Sequence, residues 1–294
     1  MQGGEATCTE GIIPRAIERI LETSERLRSQ GWEYTVSASF LEIYNENIRD
    51  LLTTQPQATG KKQAWSDMKE GTIDYTIQHD AAGNTHVSNL IDIPISSISD
   101  VKTLMERAAR NRSVGVTAMN SRSSRSHSVF TLRLQGTNAS QGTVLDGVLN
   151  LIDLAGSERL TQSKAEGSRL KETQAINKSL SSLGDVFIAL GNKSKHVPYR
   201  NSKLTYLLQS CLGGSGKTLM MLNLSPATES FHESLCSLRF GSQVNSIYSR
   251  SGRPKREIKS LPDAQALPDG SSKRPLGNKG EQPPSKQARR EAWG

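Results

Sequence analysis

Apolar residues recur at Ile13, Ala16, Ile17, Ile20, Leu21 and Leu27, the spacing of one helix face. Pro14 suits the first turn of that helix, where a missing N–H costs nothing, and Gln30-Gly31 stops it. From Tyr34 the period drops to two. Tyr34, Val36, Ala38 and Phe40 alternate with Thr35, Ser37 and Ser39, which predicts a half-buried strand. Polar residues without periodicity over 53–71 predict an exposed loop. Short strands are expected near 75–78 and 86–93. A helix follows, with Ser99 as its cap and Val101, Leu104, Met105 and Ala108 packing inward. Further strands are expected at 128–135, 144–153 and 219–224, and helices near 171–190, 202–210 and 229–246. Strands alternating with helices define a layered α/β domain.

Composition narrows the class. The 294 residues carry 37 Lys/Arg against 29 Asp/Glu, a net charge of +8, with a mean hydropathy of −0.52. No run of about 18 apolar residues exists, so no membrane span is expected. The first residues lack the basic start and apolar stretch of a secretory signal. Cys8, Cys211 and Cys236 form no close pair, which points to a reducing compartment and to neither disulfides nor a zinc site. His79, His86 and His232 likewise lack metal-ligand spacing. Residues 250–294 hold 11 Lys/Arg against 5 Asp/Glu, six of the eleven prolines and few large apolar side chains. That composition cannot bury enough surface to offset ordering entropy. An ordered domain over 1–248 and a basic disordered tail over 249–294 are therefore expected.

Two motifs carry chemistry. Asn120-Ser-Arg-Ser-Ser-Arg-Ser-His127 sets adjacent hydroxyls beside a fixed positive charge, and Asp153-Leu-Ala-Gly-Ser-Glu158 ends an apolar strand run with a carboxylate followed by Gly156. Hydroxyl and carboxylate oxygens suit Mg²⁺, and a glycine backbone can approach a terminal phosphate closely. Taken singly, a Ser/Arg-rich stretch is ordinarily a solvated loop and Asp-Leu-Ala-Gly an ordinary turn. Their pairing carries the reading. The phosphate cradle such a pair should answer to is not found in these residues. Leu212-Gly-Gly-Ser-Gly-Lys217-Thr218 approaches a P-loop, but that pattern needs a glycine five residues before Gly216, where Cys211 stands. Its context, an expected helix before and strand after, is also reversed. It reads as a glycine helix end leading into a strand.

Together the motifs identify a resemblance to the kinesin motor domain, covering about residues 1–248. Residues 39–52, Ser-Phe-Leu-Glu-Ile-Tyr-Asn-Glu-Asn-Ile-Arg-Asp-Leu-Leu, resemble the family's strand leading into a short helix. Residues 120–127 resemble its switch I, 153–158 its switch II, 172–184 its relay helix, and 196–205, His-Val-Pro-Tyr-Arg-Asn-Ser-Lys-Leu-Thr, the loop and helix that grip tubulin. The wording of the matches is most similar to the C-terminal-motor, minus-end-directed branch, and no heptad-bearing neck follows the motor. The implied fold is α/β, a kinesin-type P-loop NTPase motor fold with a mostly β central sheet flanked by helices, here expected to be N-terminally truncated.

The resemblance implies roles residue by residue. Asn120, Ser123, Ser124, Asp153 and Gly156 would sense the nucleotide's phosphates; Ser124 would bind Mg²⁺ directly and Asp153 through water. Arg125 and Glu158 would form the catalytic salt bridge that closes the two switches, in a reaction governed by positioning and charge. His127 is open to two readings, switch member or satisfied structural histidine, and is left out of catalysis. Lys178, Lys195, His196, Arg200 and Lys203 would face acidic tubulin, with Lys193 beside them; Arg200 and Lys203 sit in the best-matched motif. ATP and Mg²⁺ are the implied cofactors and microtubules the implied partner, with no membrane or nucleic acid and with the dimerisation region outside this chain.

Two functional expectations follow: an ATP-driven, minus-end-directed microtubule motor, or a catalytically inactive microtubule-binding fragment without the phosphate loop. The expected location is the cytoplasm and spindle cytoskeleton. Lys273-Arg274 with Lys286-Gln-Ala-Arg-Arg290 also resembles a bipartite nuclear import signal, against the alternative of a diffuse electrostatic tether.

Overall fold

The computed structural model describes residues 1, 3, 10–54, 73–81, 83–113, 125–157, 168–213, 216–248 and 259–260. The compact unit runs from Met1 to Ser260. Most of the loop expected over 53–71, and the tail beyond Ser260, lie outside the described residues.

Helix α1 (Ile12–Arg28) buries Ile13 and Ile17 and ends with Arg26 and Arg28 near its carbonyl end, where positive charge is favoured. Gly31, at φ +82°, supplies the left-handed step into β1 (Trp32–Tyr44). The expected alternation holds through Ala38. From Ser39 to Ile43 both faces of the strand are buried, because helices cover both sides of it. Asn45 and Glu46 follow with φ 51° and 59°. Two consecutive left-handed residues form the type I′ pattern that matches strand twist, so the chain returns as β2 (Asn47–Asp50), with Tyr44 paired to Asn47 and Leu41 to Asp50. The short helix implied here by resemblance is instead a β-hairpin.

Strands β3 (Ile77–His79) and β4 (Thr85–Val87) form a separate two-stranded sheet, and β5 (Ile93–Pro94) pairs antiparallel with β1. Helix α2 spans Ile98–Ser113. Its cap is Ser97 rather than Ser99: the Asp100 carboxylate accepts the amides of Ser96 and Ser97 at 2.9 Å each, and Ser97 Oγ accepts the Asp100 amide at 3.4 Å. The expected Val101, Leu104 and Ala108 are buried.

The main sheet is completed by β6 (His127–Asn138), β7 (Thr143–Asp153) and the two-residue β8 (Lys259–Ser260), in the order β2-β1-β6-β7-β8 with every pairing antiparallel. Phe40 and Phe130 are register partners whose rings meet edge to face at 5.5 Å. They centre a core with Ile13 and Ile17 of α1 and Val101 and Leu104 of α2. On the opposite face Leu41, Ile43 and Val129 pack against Leu204 and Leu207 of α4 (Lys203–Leu207), followed by α5 (Gln209–Gly213). Beside them, Leu183 and Phe187 of α3 (Ser168–Gly191) pack on Val244 of α6 (Phe231–Tyr248). Helices therefore flank both faces of an antiparallel sheet, the layered α/β architecture that the alternation implied.

Residues 219–224 depart from expectation. They carry no regular secondary structure and pair with no described strand. Leu219 is 84% and Met221 66% exposed, while Met220 packs against the α3–α6 cluster. An apolar run signals a wish for burial, yet a strand forms only where a ladder partner exists. On the far side of β7 the described partner is β8, at Thr143 and Val144 alone.

Helix α4 opens with a reciprocal cap. Ser202 Oγ accepts the Thr205 amide at 3.1 Å, and Thr205 Oγ1 accepts the Ser202 amide at 3.3 Å while donating to the Tyr199 carbonyl at 2.6 Å. Ser202→Ala is expected to lower stability by about 1 kcal/mol, read as a lower urea midpoint at unchanged slope.

Candidate functional site: two strand ends joined to helix α3

Antiparallel pairing places the two sequence motifs side by side. β6 begins where the first ends and β7 ends where the second begins, with Ser128 opposite Asp153. Of the expected phosphate-sensing residues, Asp153 and Gly156 are described, and of the expected catalytic pair, Arg125. Arg125 and Gly156 are half-buried and Asp153 is exposed at the strand end. Asn120, Ser123, Ser124 and Glu158 lie outside the described residues.

His127 is fully partnered. Its Nδ1 accepts the Ala155 amide at 3.0 Å, which puts the ring proton on Nε2; Nε2 donates to Ser179 Oγ at 2.7 Å, and Ser179 in turn donates to the Ile176 carbonyl at 2.7 Å. Burial lowers the His127 pKa to about 4, so the ring is neutral at pH 7. Of the two sequence readings the structure supports the satisfied histidine, and its partners belong to the second motif and to α3.

A second node flanks the first motif. Glu42, fully buried in β1, accepts the Ser126 hydroxyl at 2.7 Å and Arg112 Nε at 3.3 Å on one oxygen, Oε1. Its other oxygen, Oε2, has no hydrogen-bond partner among the described residues. Arg112 closes the last turn of α2 and Ser126 immediately precedes β6, so one carboxylate ties together the residues before and after positions 114–124. Asn111 anchors the same helix end, donating to the carbonyls of Leu51 and Thr53 at 2.8 and 3.0 Å. Sequence reasoning missed Glu42, Arg112 and Ser179. The one available signal was a carboxylate in the middle of an apolar strand.

Asp153, Gly156 and Ser157 line a cavity of about 2040 Å³ that also touches Asn177 and Ser181 of α3 and the turn at Lys217 and Thr218. That turn does not suit a phosphate. It follows the C-terminal end of α5, and Thr218 folds back to donate to the Cys211 carbonyl at 3.0 Å. Phosphate cradles use the opposite, N-terminal end of a helix, where amides point outward. Asp153 and Gly156 fit the sensing side of a Mg²⁺–nucleotide site. The described residues do not fit its cradle, and no hydrolytic step follows from them.

The basic residues gather elsewhere. Lys178 is exposed on α3, and Lys193, Lys195, His196 and Arg200 are exposed along the segment leading to α4. The Arg200 guanidinium lies 5.6 Å from the centre of the Tyr206 ring. Lys203 opens α4, its amide held by the Glu46 carboxylate at 2.8 Å. α3 packs against both α4 and the turn at Tyr199–Asn201, so these cations sit on neighbouring elements.

With this geometry the chain matches the kinesin motor domain family over residues 1–247, and it belongs to that family. Kinesin-like protein KIN-14M of Arabidopsis thaliana is 56% identical over 253 residues, covering 86% of this chain and 33% of the relative. Carboxy-terminal kinesin 2 of Xenopus laevis is 49% identical, covering 87% of this chain and 39% of the relative. Among solved structures, the motor domain of the Saccharomyces cerevisiae kinesin-related protein Kar3 superposes with a TM-score of 0.67 at 44% identity, covering 80% of this chain and 68% of that one. The chain spans about a third of the length of the plant relative.

Proposed function

We propose that this chain is the microtubule-binding and phosphate-sensing portion of an ATP-driven kinesin motor of the minus-end-directed, C-terminal-motor branch, acting on the cytoskeleton. One observation carries the reading: the ends of the two phosphate-sensing motifs lie on adjacent strands, Ser128 opposite Asp153, and connect through His127 to α3, the helix bearing Lys178. In this reading Ser123, Ser124, Asp153 and Gly156 face Mg²⁺ and the terminal phosphate, while Arg125 and Glu158 close the switches. Residues 1–248 form the motor portion and 249–294 a basic tail, of which Lys259–Ser260 pairs with β7 as β8. Deleting the tail and following localisation tests whether it directs nuclear import or only strengthens attachment to the filament.

Arg200→Glu/Lys203→Glu tests the track face. Tubulin is acidic, so reversal turns two attractions into repulsions. Microtubule co-sedimentation in low salt is expected to weaken by at least about tenfold and to lose much of its salt sensitivity. Unchanged binding would remove these residues from the interface.

The second reading, a microtubule binder that does not hydrolyse ATP, is favoured by the position of the Lys217-Thr218 turn after a helix C-terminus. Equilibrium nucleotide binding to the 294-residue chain separates the two. Micromolar ATP affinity with Mg²⁺, together with microtubule-stimulated phosphate release, rejects the second reading; absence of affinity rejects ATP turnover by these residues alone.

A further inference from the structure

His127 touches three parts of the fold that a motor must move together. It begins β6 directly after Arg125 and Ser126, takes the amide proton of Ala155 between Asp153 and Gly156, and reaches Ser179 one residue beyond Lys178 in α3. We propose that His127 is a positioning residue that couples residues 153–156 to α3 through its hydrogen bond to Ser179. The inference rests on the reading of those residues as phosphate-sensing and of α3 as track-facing.

The arrangement suits a mechanical link. His127, Ala155 and Ser179 are 3%, 4% and 2% exposed, so water offers no substitute partner. The bonds run one way: Ala155 N–H to Nδ1, Nε2–H to Ser179 Oγ, Ser179 O–H to the Ile176 carbonyl. The last acceptor belongs to the backbone of α3 itself, which fixes the Ser179 hydroxyl relative to the helix. A shift of α3 by more than a bond length must either strand a buried ring N–H or pull the ring along. The ring, in turn, holds the Ala155 amide. A buttress that only filled space would impose no such directional constraint.

The test uses the full 294-residue chain and two readouts. Ser179→Ala removes a hydroxyl that does not touch Ala155. In that variant the Ala155 amide is expected to exchange with solvent about three- to tenfold faster, the worth of one net hydrogen bond, with α1 amides unmoved and Ser179→Thr restoring the wild-type rate. Co-sedimentation should show Ser179→Ala and His127→Asn each weakening microtubule binding about three- to tenfold. The double variant should lose no more than His127→Asn alone, because that change already removes the bond to Ser179. An Ala155 amide unaffected by Ser179→Ala overturns the coupling, as do fully additive losses in the double variant. A wild-type chain that fails to bind microtubules sinks the motor reading, while the exchange result still decides whether α3 and Ala155 are coupled.

Discussion

Glu42→Ala is expected to cost about 3–5 kcal/mol, the penalty for breaking a buried ion pair from one side, against a total stability of roughly 5–15 kcal/mol for an ordinary domain. Glu42 is 0% exposed, and the Arg112 side chain that pairs with it is 20% exposed. Truncation leaves a largely buried guanidinium and the Ser126 hydroxyl facing a void. Glu42→Gln should cost less, about 1–2 kcal/mol, since its carbonyl can still accept from both donors while the charge is lost. Replacing Glu42 and Arg112 together by leucine should cost less than Glu42→Ala, because no charge is then stranded. Urea unfolding of the three variants checks the order. An alanine variant as stable as the wild type would show that Arg112 simply turns to solvent.

Acidification is expected to remove stability through His127. Its folded pKa of about 4 lies below the ordinary value of 6.5, so the unfolded chain binds the proton first as pH falls. The contribution is complete above pH 6.5 and is lost progressively as pH drops towards 4. The slope approaches about 1.4 kcal/mol per pH unit, roughly 3 kcal/mol over the window. Carboxylates titrate in the same range, so the useful quantity is the difference between wild type and His127→Asn, which carries no titrating group at this position. That difference should shrink between pH 6.5 and 4. A constant difference would mean that the folded chain protonates this ring as readily as the unfolded chain does.

Local rules made much of the fold legible. The period-3.6 face of α1, the alternation of β1 and the paired runs that became β6 and β7 each depend on neighbours in sequence. What escaped was non-local. The reversal at Asn45-Glu46 required a second left-handed residue after the asparagine, and Glu46 does not signal that conformation. The run at 219–224 announced burial without naming a partner. At the site, residue types pointed to Asp153 and Gly156, because a carboxylate ending an apolar strand is visible in one dimension, and the structure puts Asp153 at the end of β7. Glu42, Arg112 and Ser179 were invisible because their roles depend on partners 84, 70 and 52 positions away. His127 was visible as a residue and ambiguous as a function until Ala155 and Ser179 were seen on either side of its ring.

The flank of β7 that meets no described strand beyond Val144 has a practical consequence. Beyond Val144 its outward backbone groups face no described strand, Val148 is 52% exposed, and Leu219 and Met221 stand uncovered nearby. Such a flank is a template on which other chains can assemble. Preparations of this protein should therefore cloud or pellet in proportion to concentration, even with no filament in the tube. Each sedimentation measurement needs a matched spin without microtubules, and detergent or dilution should diminish that background while leaving true filament binding intact.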